Sequence, residues 1–402
     1  MTVKFTKSCA KGRVKAPPSK SMAHRYLICA ALSNRSEIKG ISKSKDMEAT
    51  LDGLKALGAE ISVNEDTVIL GGIDFSKAPI SSKIDCNESG STLRFLIPIC
   101  LLFGKDITLF GSKRLFERSL SVYEQICKAQ GMKFELTENN VTVNGKLSSG
   151  KYSVEGDISS QFISGLMFAL SQLENDSVIE ITGNIESASY LTLTIKALAK
   201  FGVRISRVDE RTIYIKGNQR CKDRIVNVEG DYSNAAFLDA FNLFGGNVAV
   251  SGLSKNTAQG DSVYKELFPL LQSGKPTIDI TDCPDLGPIL MAVAAAHNGA
   301  VFTGTKRLKI KESDRGEAMK EELLKFGCTV KTEENKITVL KSKLSAPKAK
   351  LYGHNDHRIV MTLSVLASVF GGEILGAEAV SKSFPDFFQK IATLGIGLKV
   401  EN

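Results

Sequence analysis

The chain contains several segments in which cationic and hydroxyl side chains stand at the start of a predicted helix. In PPSKSMAHR, Ser19 follows two prolines and is a suitable N-cap, with Lys20, Ser21 and Arg25 directly after it. Ser21 and Arg25 are four residues apart and therefore share one face of the helix. Free backbone N–H groups and the helix dipole add positive potential at this end. The segment is predicted to bind an anion, and an exposed basic helix start is the alternative.

Two further helix starts are rich in small and polar residues. In NESGSTLR, Gly90 lies between two serines and leaves room for a ligand to approach the backbone, and Arg94 follows one turn later. An ordinary capped core helix is the alternative there. In DISSQF, a plain N-cap explains only one serine, whereas Ser159, Ser160 and Gln161 together are suited to binding phosphate or hydroxyl oxygens.

The second half of the chain has a charged cluster in KESDR. Lys311 and Arg315 are four residues apart and Glu312 is adjacent, so two cations and a carboxylate are expected to meet at a helix start. Charges placed for solubility are the alternative. Further cations in similar polar interruptions are Arg118, Arg358 and Lys382.

A carboxylate and two histidines stand near apolar helices in this half. Asp285 precedes the apolar stretch GPILMAVAAA, and a buried carboxylate is unfavourable unless it caps a helix or takes part in chemistry. Both a capping role and a chemical role for Asp285 stay open. His354 and His357 are not spaced i, i+4, and neither Cys nor a third His stands near them, so no metal site is expected. His357 is kept as a secondary candidate for ligand contact.

Composition and missing motifs narrow the classes of function. The sequence has no P-loop, no GxGxxG after a predicted strand and no GxSxG elbow. The net charge of +8 is spread along the chain, whereas nucleic-acid binders concentrate their cations in one patch. Eight cysteines without a CxxC pair, a start without an apolar signal core and no apolar run near ~20 residues predict a cytoplasmic protein.

The predicted helices and strands that carry these residues recur along the chain in one repeated pattern. In each copy, an amphipathic helix that ends in Gly precedes two strands joined by a polar turn, and apolar and polar residues alternate along both strands. The copies are LDGLKALGAEISVNEDTVILGG, YEQICKAQGMKFELTENNVTVNG, IKALAKFGVRISRVDERTIYIKG and EELLKFGCTVKTEENKITVLKS. The spacing of roughly 70 residues between the first three is too long for ordinary solenoids. Three such units before about residue 228 and about three after it predict two similar domains with a ligand cleft between them.

Taken together and in order, the motifs resemble the enolpyruvylshikimate-phosphate synthase family nearly end to end. They are PSKSMAHR, ESGSTLR, the Arg118 segment, SSQF, SASY, the Asp285 segment, KESDR, NDHR and KSFPD. The resemblance implies a mixed α+β fold, a two-domain inside-out α/β prism with three βαβαββ units in each domain around a central cleft. It implies a lower domain of residues 1–14 and 229–402, an upper domain of residues 15–228 and an active site in the cleft.

The reaction implied by the resemblance transfers the enolpyruvyl group of phosphoenolpyruvate to the 5-hydroxyl group of shikimate 3-phosphate. It releases phosphate through a tetrahedral intermediate and uses neither a metal nor an organic cofactor. By resemblance, shikimate 3-phosphate contacts Lys20, Ser21, Arg25, Ser159, Ser160, Gln161, Ser187, Tyr190, Asp285 and Lys311. Phosphoenolpyruvate contacts Lys20, Gly90, Arg118, Gln161, Arg315, Arg358 and Lys382. The expected catalytic residues are Lys20, Asp285 and Glu312, with Asp285 as the base for the hydroxyl and Glu312 as the acid for the methylene carbon.

The resemblance also carries expectations about partners and departures from the family pattern. The expected partners are the two small substrates alone, without nucleic acid or membrane, for a monomer whose domains close on its substrates. Glu88, Ser119 and Arg307 replace residues that are common in the family (Asn, Pro and Asn), which puts the geometry of the phosphoenolpyruvate pocket in question. Because Gly90 is present, inhibition by glyphosate, the family's inhibitor, is predicted.

Two alternatives remain open. The sister transferase that acts on UDP-N-acetylglucosamine uses a Lys-Asn pair near its N-terminus and a reactive Cys in a mobile loop. Here the pair is Lys20-Ser21, and GSKRLFERSL contains no Cys. A non-catalytic or RNA-end-processing protein of similar architecture would need stacking surfaces or a nucleotide site, and the chain has no Trp.

Overall fold

The computed structural model describes residues 1–185 and 187–401. The chain divides into two compact units. The terminal unit contains Met1–Pro17 and the described chain from Gly230 onward, and the central unit contains Pro18–Glu229. The domain boundaries expected at residues 14–15 and 228–229 lie beside these bounds.

The strands and helices alternate along the chain in the order that the repeat predicts. The strands are β1 Thr2–Phe5, β2 Lys11–Lys15, β3 Arg35–Lys39, β4 Ile61–Asn64, β5 Thr67–Gly71, β6 Lys83–Asp85, β7 Ile107–Phe110, β8 Lys133–Leu136, β9 Asn140–Asn144, β10 Lys151–Glu155, β11 Ser177–Thr182, β12 Ile205–Arg207, β13 Thr212–Ile215, β14 Ile225–Asn227, β15 Asn247–Ser251, β16 Thr277–Asp279, β17 Ala300–Thr303, β18 Val330–Thr332, β19 Lys336–Val339, β20 Leu351–Tyr352, β21 Gly372–Leu375 and β22 Leu398–Glu401. The α-helices are α1 Lys20–Ala31, α2 Lys45–Ala56, α3 Gly90–Cys100, α4 Lys113–Phe116, α5 Ser121–Ala129, α6 Ser160–Leu170, α7 Ala188–Lys200, α8 Tyr232–Ala240, α9 Tyr264–Ser273, α10 Gly287–Ala296, α11 Arg315–Lys325, α12 His357–Phe370 and α13 Phe387–Thr393. Short 3-10 helices span Phe241–Phe244, Gly260–Val263, Pro284–Leu286, Lys306–Ile310 and Ala377–Lys382.

Sheets of one pairing pattern recur in both units. The central unit has the strand orders β14-β3-β5-β4, β6-β7-β9-β8 and β10-β11-β13-β12. The terminal unit has β16-β17-β19-β18, β20-β21-β1-β22 and the pair β15-β2. Each four-stranded sheet begins with a parallel pair and continues with two antiparallel pairs, as in β6 with β7, β7 with β9 and β9 with β8. The mixed α+β fold of repeated βαβαββ units is confirmed.

The parallel pairs β6–β7, β10–β11, β16–β17 and β20–β21 join consecutive strands and need a crossover connection, which a buried helix supplies in each. Nearly every residue of α3, α6, α10 and α12 is buried, as expected for helices that are apolar on all sides. α3 packs against α1 and α6 in the central unit, and α10 packs against α8 and α12 in the terminal unit. Because ligands bind where crossover helices begin in such units, the polar starts of these helices are candidate ligand sites.

The local features that the repeat predicts are present. The strand pairs β4–β5, β8–β9, β12–β13 and β18–β19 are antiparallel hairpins. The glycines after the preceding helices have positive φ: Gly58, Gly131, Gly202 and Gly327. All eight cysteines are free, and seven of them are buried, which confirms that Cys29, Cys100 and Cys127 act as small core residues. None of the described helices is long and apolar enough to cross a membrane.

Candidate functional site

At the start of α1, the side chain of Arg25 is buried among neutral groups. It is 2% exposed, and its Nε donates to Thr194 Oγ1 at 2.8 Å. Its Nη1 donates to the carbonyl oxygen of Ser21 at 2.8 Å, and its Nη2 to that of Tyr190 at 3.2 Å. Burial lowers the pKa of Arg25 to about 10. Within the described chain these hydrogen-bond partners are all neutral oxygens, so the buried charge has no ionic partner there, which favours the binding of an anion.

Lys20, the first residue of α1, pairs with a carboxylate that the sequence analysis did not identify. Its Nζ lies 2.8 Å from Asp46 Oδ2, and both side chains are mostly buried. Asp46 stands in the first turn of α2, where an acidic residue is common because it interacts well with the helix dipole. Its sequence context therefore carried no signal of a partner 26 residues away.

The start of α3 is surrounded by two guanidinium groups and an amide. A Cβ atom added to Gly90 would lie 2.9 Å from Arg94 Nη1, 3.1 Å from Arg118 Nη1 and 3.5 Å from Gln161 Oε1. Arg94 Nη1 donates to Gln161 Oε1 at 3.2 Å, and Gln161 Nε2 donates to Ser91 Oγ at 3.0 Å. The buried Nε of Arg118 has no hydrogen-bond partner among the described residues. The fold thus brings Gly90, Arg118 and Gln161 together and adds Arg94, which the sequence analysis noted but did not assign.

The remaining predicted residues of the central unit stand at the starts of α6 and α7. Ser159 is the N-cap of α6, and its side chain accepts the backbone N–H of Gln161 at 3.3 Å. Ser160 is the first residue of that helix and is buried. Ser187 precedes α7 with a φ of 58°, in the left-handed region that non-glycine residues rarely adopt, and Tyr190 lies in its first turn.

In the terminal unit, three carboxylates surround one buried guanidinium. Arg315 is 1% exposed, and its Nε donates to Asp356 Oδ2 at 2.8 Å. Its Nη1 donates to Asp285 Oδ1 at 2.7 Å and its Nη2 to Glu312 Oε2 at 2.8 Å. Burial lowers the pKa of Arg315, but the three carboxylates outweigh burial and hold it well above its ordinary value. Asp285 and Glu312 are therefore oriented by the same side chain.

Asp285 also contacts two further cations. Lys311 Nζ lies 3.2 Å from Asp285 Oδ1, and Arg358 Nη2 lies 3.6 Å from Oδ2. Burial raises the pKa of Asp285, but Lys311, Arg315 and Arg358 together hold it well below its ordinary value. Asp285 stands in a 3-10 turn, and the N-cap position of α10 is occupied by Leu286. The alternative of a simple helix cap is therefore wrong, because the side chain is held by long-range ion pairs.

Next to this cluster is another carboxylate that the sequence analysis missed. Asp261 is 6% exposed, and its Oδ1 is buried with no hydrogen-bond partner in the described chain. Burial and the neighbouring charge of Asp285 raise the pKa of Asp261 to about 7, against the attraction of Arg358 and Lys311. Its short segment, QGD, carries no periodic or capping signal that could have singled it out.

The last predicted cations and histidines are placed around the start of α12. Arg358 Nη1 donates to Asn234 Oδ1 at 3.1 Å, and its Nε is buried without a partner among the described residues. Lys382 Nζ donates to the carbonyl oxygen of Asn355 at 2.6 Å. His357 is the first residue of α12 and is buried.

His354 belongs to a separate cluster, with Glu321 and Glu322. The ligand atoms of Glu321, Glu322 and His354 lie within 4.8 Å of one another. Glu322 already binds the ammonium group of Lys325 at 2.7 and 2.8 Å and accepts the N–H of Tyr352 at 3.0 Å. Its negative charge is therefore neutralised by protein groups, which is typical of a structural ion-pair network.

Comparison with known proteins gives consistent results. A family profile described as EPSP synthase (3-phosphoshikimate 1-carboxyvinyltransferase) matches residues 6–391. The chain is similar to the 3-phosphoshikimate 1-carboxyvinyltransferase of Clostridium perfringens, with 39% identity over 420 residues and 99% of each chain covered. It is 40% identical to that of Clostridium acetobutylicum over 419 residues, covering 98% of this chain and 97% of the relative. Its fold is similar to that of an EPSP synthase from Acinetobacter baumannii, with a TM-score of 0.80, 21% identity and full coverage of both chains.

Proposed function

Because the chain belongs to the EPSP synthase (3-phosphoshikimate 1-carboxyvinyltransferase) family, we propose that it transfers the enolpyruvyl group of phosphoenolpyruvate to the 5-hydroxyl group of shikimate 3-phosphate. Phosphate is released in this reaction. The observation that carries the proposal is the pair of carboxylates, Asp285 and Glu312, held by the buried guanidinium of Arg315. Such a pair supplies one group to remove a proton and another to deliver one.

The cations of both units support the binding of two polyanions. The substrates together carry roughly six negative charges, since each phosphate group holds nearly two. Shikimate 3-phosphate is assigned to Lys20, Ser21, Arg25, Ser159, Ser160, Gln161, Ser187, Tyr190, Asp285 and Lys311. Phosphoenolpyruvate is assigned to Lys20, Gly90, Arg118, Gln161, Arg315, Arg358 and Lys382. The geometry around Gly90 adds Arg94 to this second set, because its Nη1 lies beside that of Arg118 at the same helix start.

The ion pairs of Asp285 indicate how its basicity would depend on the substrates. Without ligands, three cations hold the pKa of Asp285 well below its ordinary value, which makes it a weak base. Substrate phosphate and carboxylate groups that bind Arg315, Arg358 and Lys311 compete with Asp285 for these cations. The pKa of Asp285 would then rise toward the range in which it accepts the hydroxyl proton. Glu312 is assigned as the proton donor to the methylene carbon.

The proposed reaction needs neither a metal nor an organic cofactor. Its partners are the two small substrates, and no nucleic-acid or membrane partner is assigned. A cytoplasmic location is supported by the eight free cysteines, since a reducing compartment keeps thiols unpaired. We expect a monomer, which light scattering coupled to gel filtration would test.

The experiment that tests this function is phosphate release from phosphoenolpyruvate by the purified protein. Shikimate 3-phosphate and UDP-N-acetylglucosamine are compared as acceptors, and Asp285→Asn serves as a matched variant that keeps the size of the side chain. Release with shikimate 3-phosphate alone, strongly reduced in the variant, is the expected result. Release with the sugar nucleotide alone would instead assign the sister transferase activity, and no release with either acceptor would refute the proposed reaction.

A further inference from the structure

A chain of buried hydrogen bonds runs through the central unit from α1 to the start of α3. His24 Nδ1 lies 2.8 Å from Thr50 Oγ1, and Thr50 Oγ1 lies 2.7 Å from Thr92 Oγ1. Thr92 Oγ1 in turn donates to Ser89 Oγ at 2.7 Å. All four residues are at most 1% exposed. Four polar side chains that are withdrawn from water and joined in one series form a network rather than a set of local caps.

The two ends of this network lie beside residues assigned to the two substrates. His24 is one turn after Lys20 on α1 and precedes Arg25 directly. At the other end, Ser89 is the N-cap of α3 and accepts the backbone N–H of Thr92 at 3.2 Å, next to Gly90. None of the four network residues is itself assigned to a substrate.

The middle of the network stands on α2. Thr50 lies one turn after Asp46, which pairs with Lys20, and its hydroxyl also reaches the carbonyl oxygen of Asp46 at 3.1 Å. α1 and α2 are therefore joined at two successive turns, by the ion pair of Lys20 with Asp46 and by the contact of His24 with Thr50. Thr50 then extends the connection to α3 through Thr92.

The donors in the network have one consistent direction. Since the hydroxyl of Thr92 donates to Ser89, it must accept from Thr50. The one hydrogen of the Thr50 hydroxyl has two acceptors within reach, Thr92 Oγ1 and the carbonyl oxygen of Asp46, so none is left for His24 and Thr50 must accept from its Nδ1–H. This assigns the Nδ1–H tautomer to His24 and leaves Nε2 as a bare acceptor, buried without a partner among the described residues. Burial, with Lys20 and Arg25 nearby, holds the pKa of His24 well below its ordinary value, so the ring stays neutral.

We propose that His24, Thr50, Thr92 and Ser89 are positioning residues that hold the start of α1 and the start of α3 in a fixed relation. The proposal rests on the proposed function, because it assigns acceptor-binding residues to α1 and donor-binding residues to α3. Each contact in the series fixes the position of two buried polar groups, and an arrangement that breaks one leaves a buried group without its partner, which is destabilising. Removing the central hydroxyl of the series therefore loosens both helix starts, although Thr50 contacts neither substrate.

The first test compares Thr50→Val with Thr50→Ser. Valine keeps the shape of threonine but cannot take part in the series, whereas serine keeps the hydroxyl group. We expect Thr50→Val to raise the KM for phosphoenolpyruvate and for shikimate 3-phosphate by roughly 2- to 30-fold each, with a smaller change in kcat. Thr50→Ser should restore both constants to within about twofold of the parent.

Ser171→Ala is the matched control in the same unit. Its hydroxyl is also fully buried, but it lies at the C-terminal end of α6, where it donates to the carbonyl oxygen of Phe168 and accepts from Gln172 Nε2. This variant is expected to lose thermal stability without a change in either KM. Thr50→Val with a lowered melting temperature but parental KM values would overturn the positioning role. A parent enzyme without turnover would refute the proposed function instead, and the two failures are thus distinguishable.

The tautomer of His24 is a second measurement that does not depend on activity or on the folding of a variant. The chain has only four histidines, so nitrogen-15 NMR of the intact protein resolves each imidazole ring. We expect His24 to be protonated at Nδ1 and not at Nε2 over the range from about pH 5 to 8. Protonation at Nε2 alone would reverse the donor direction and overturn the network.

Discussion

Replacing Asp261 by asparagine should change the pH dependence of stability in a direction set by its burial. This carboxyl is 6% exposed, and its Oδ1 has no hydrogen-bond partner in the described chain. Burial raises its pKa from 3.8 to about 7, and Asp285 and Asp231 add to the effect while Arg358 and Lys311 oppose it. Ionising Asp261 in the folded protein is therefore unfavourable, and the unfolded chain has no such penalty.

The sign and magnitude follow from the two pKa values. Between about pH 4 and 7 the folded state keeps the proton on Asp261 and the unfolded state releases it, so stability falls as the pH rises through this window. The loss is complete above the folded pKa. At roughly 1.4 kcal/mol for each pH unit, the penalty is about 2 kcal/mol at pH 5 and about 4 kcal/mol at pH 8. Asp261→Asn removes it, because an amide does not ionise.

The assay is urea denaturation of parent and variant at pH 5 and pH 8, followed by far-UV circular dichroism. Relative to the parent, Asp261→Asn should be more stable at pH 8 than at pH 5 by about 2 to 3 kcal/mol. Any fixed effect of the amide on packing cancels in this difference. Asp386→Asn removes an exposed carboxylate from the same unit and controls for the lost charge. The same stability difference at both pH values would refute the reasoning.

Three further outcomes follow from the site. Gly90→Ala should raise the KM for phosphoenolpyruvate on the order of tenfold, since the new Cβ would lie 2.9 Å from Arg94 Nη1 and 3.1 Å from Arg118 Nη1; an unchanged KM in steady-state kinetics would show that these side chains shift freely. Asp285→Asn should lower kcat by roughly 10²- to 10⁴-fold, as expected for loss of a general base; near-parental turnover would remove that assignment. Raising the salt concentration from about 0.05 to 0.5 M should raise the KM of both anionic substrates, because screening weakens their attraction to the cationic site; salt-independent constants would contradict an electrostatic contribution to binding.

The repeat and the helix starts could be predicted because their signals are local. An N-cap and the residues it serves lie within three positions of each other, so Ser89 and Ser159 could be recognised from their segments alone. The alternation of the hairpin strands and the glycine that ends each preceding helix are equally local signals.

The partners of the site residues could not be predicted, because they are distant in sequence. Asp46 is 26 residues from Lys20, and Gln161 is 67 residues from Arg94. Each partner stands in a context that also suits an ordinary helix start or surface position. Asp261 is the clearest case, since its burial beside Asp285 results from the packing of several elements and not from its own segment.

The sequence by itself therefore determined which helices begin with polar residues and which types of side chain stand there, because capping and periodicity depend on neighbours within one or two turns. Only the tertiary structure decided which charges meet. It placed three carboxylates against Arg315, gave Arg25 neutral hydrogen-bond partners among the described residues and joined α1 to α3 through buried hydroxyls. The physical reason is that an ion pair or a buried hydrogen bond depends on separations in space, and the packing of the crossover helices sets these separations.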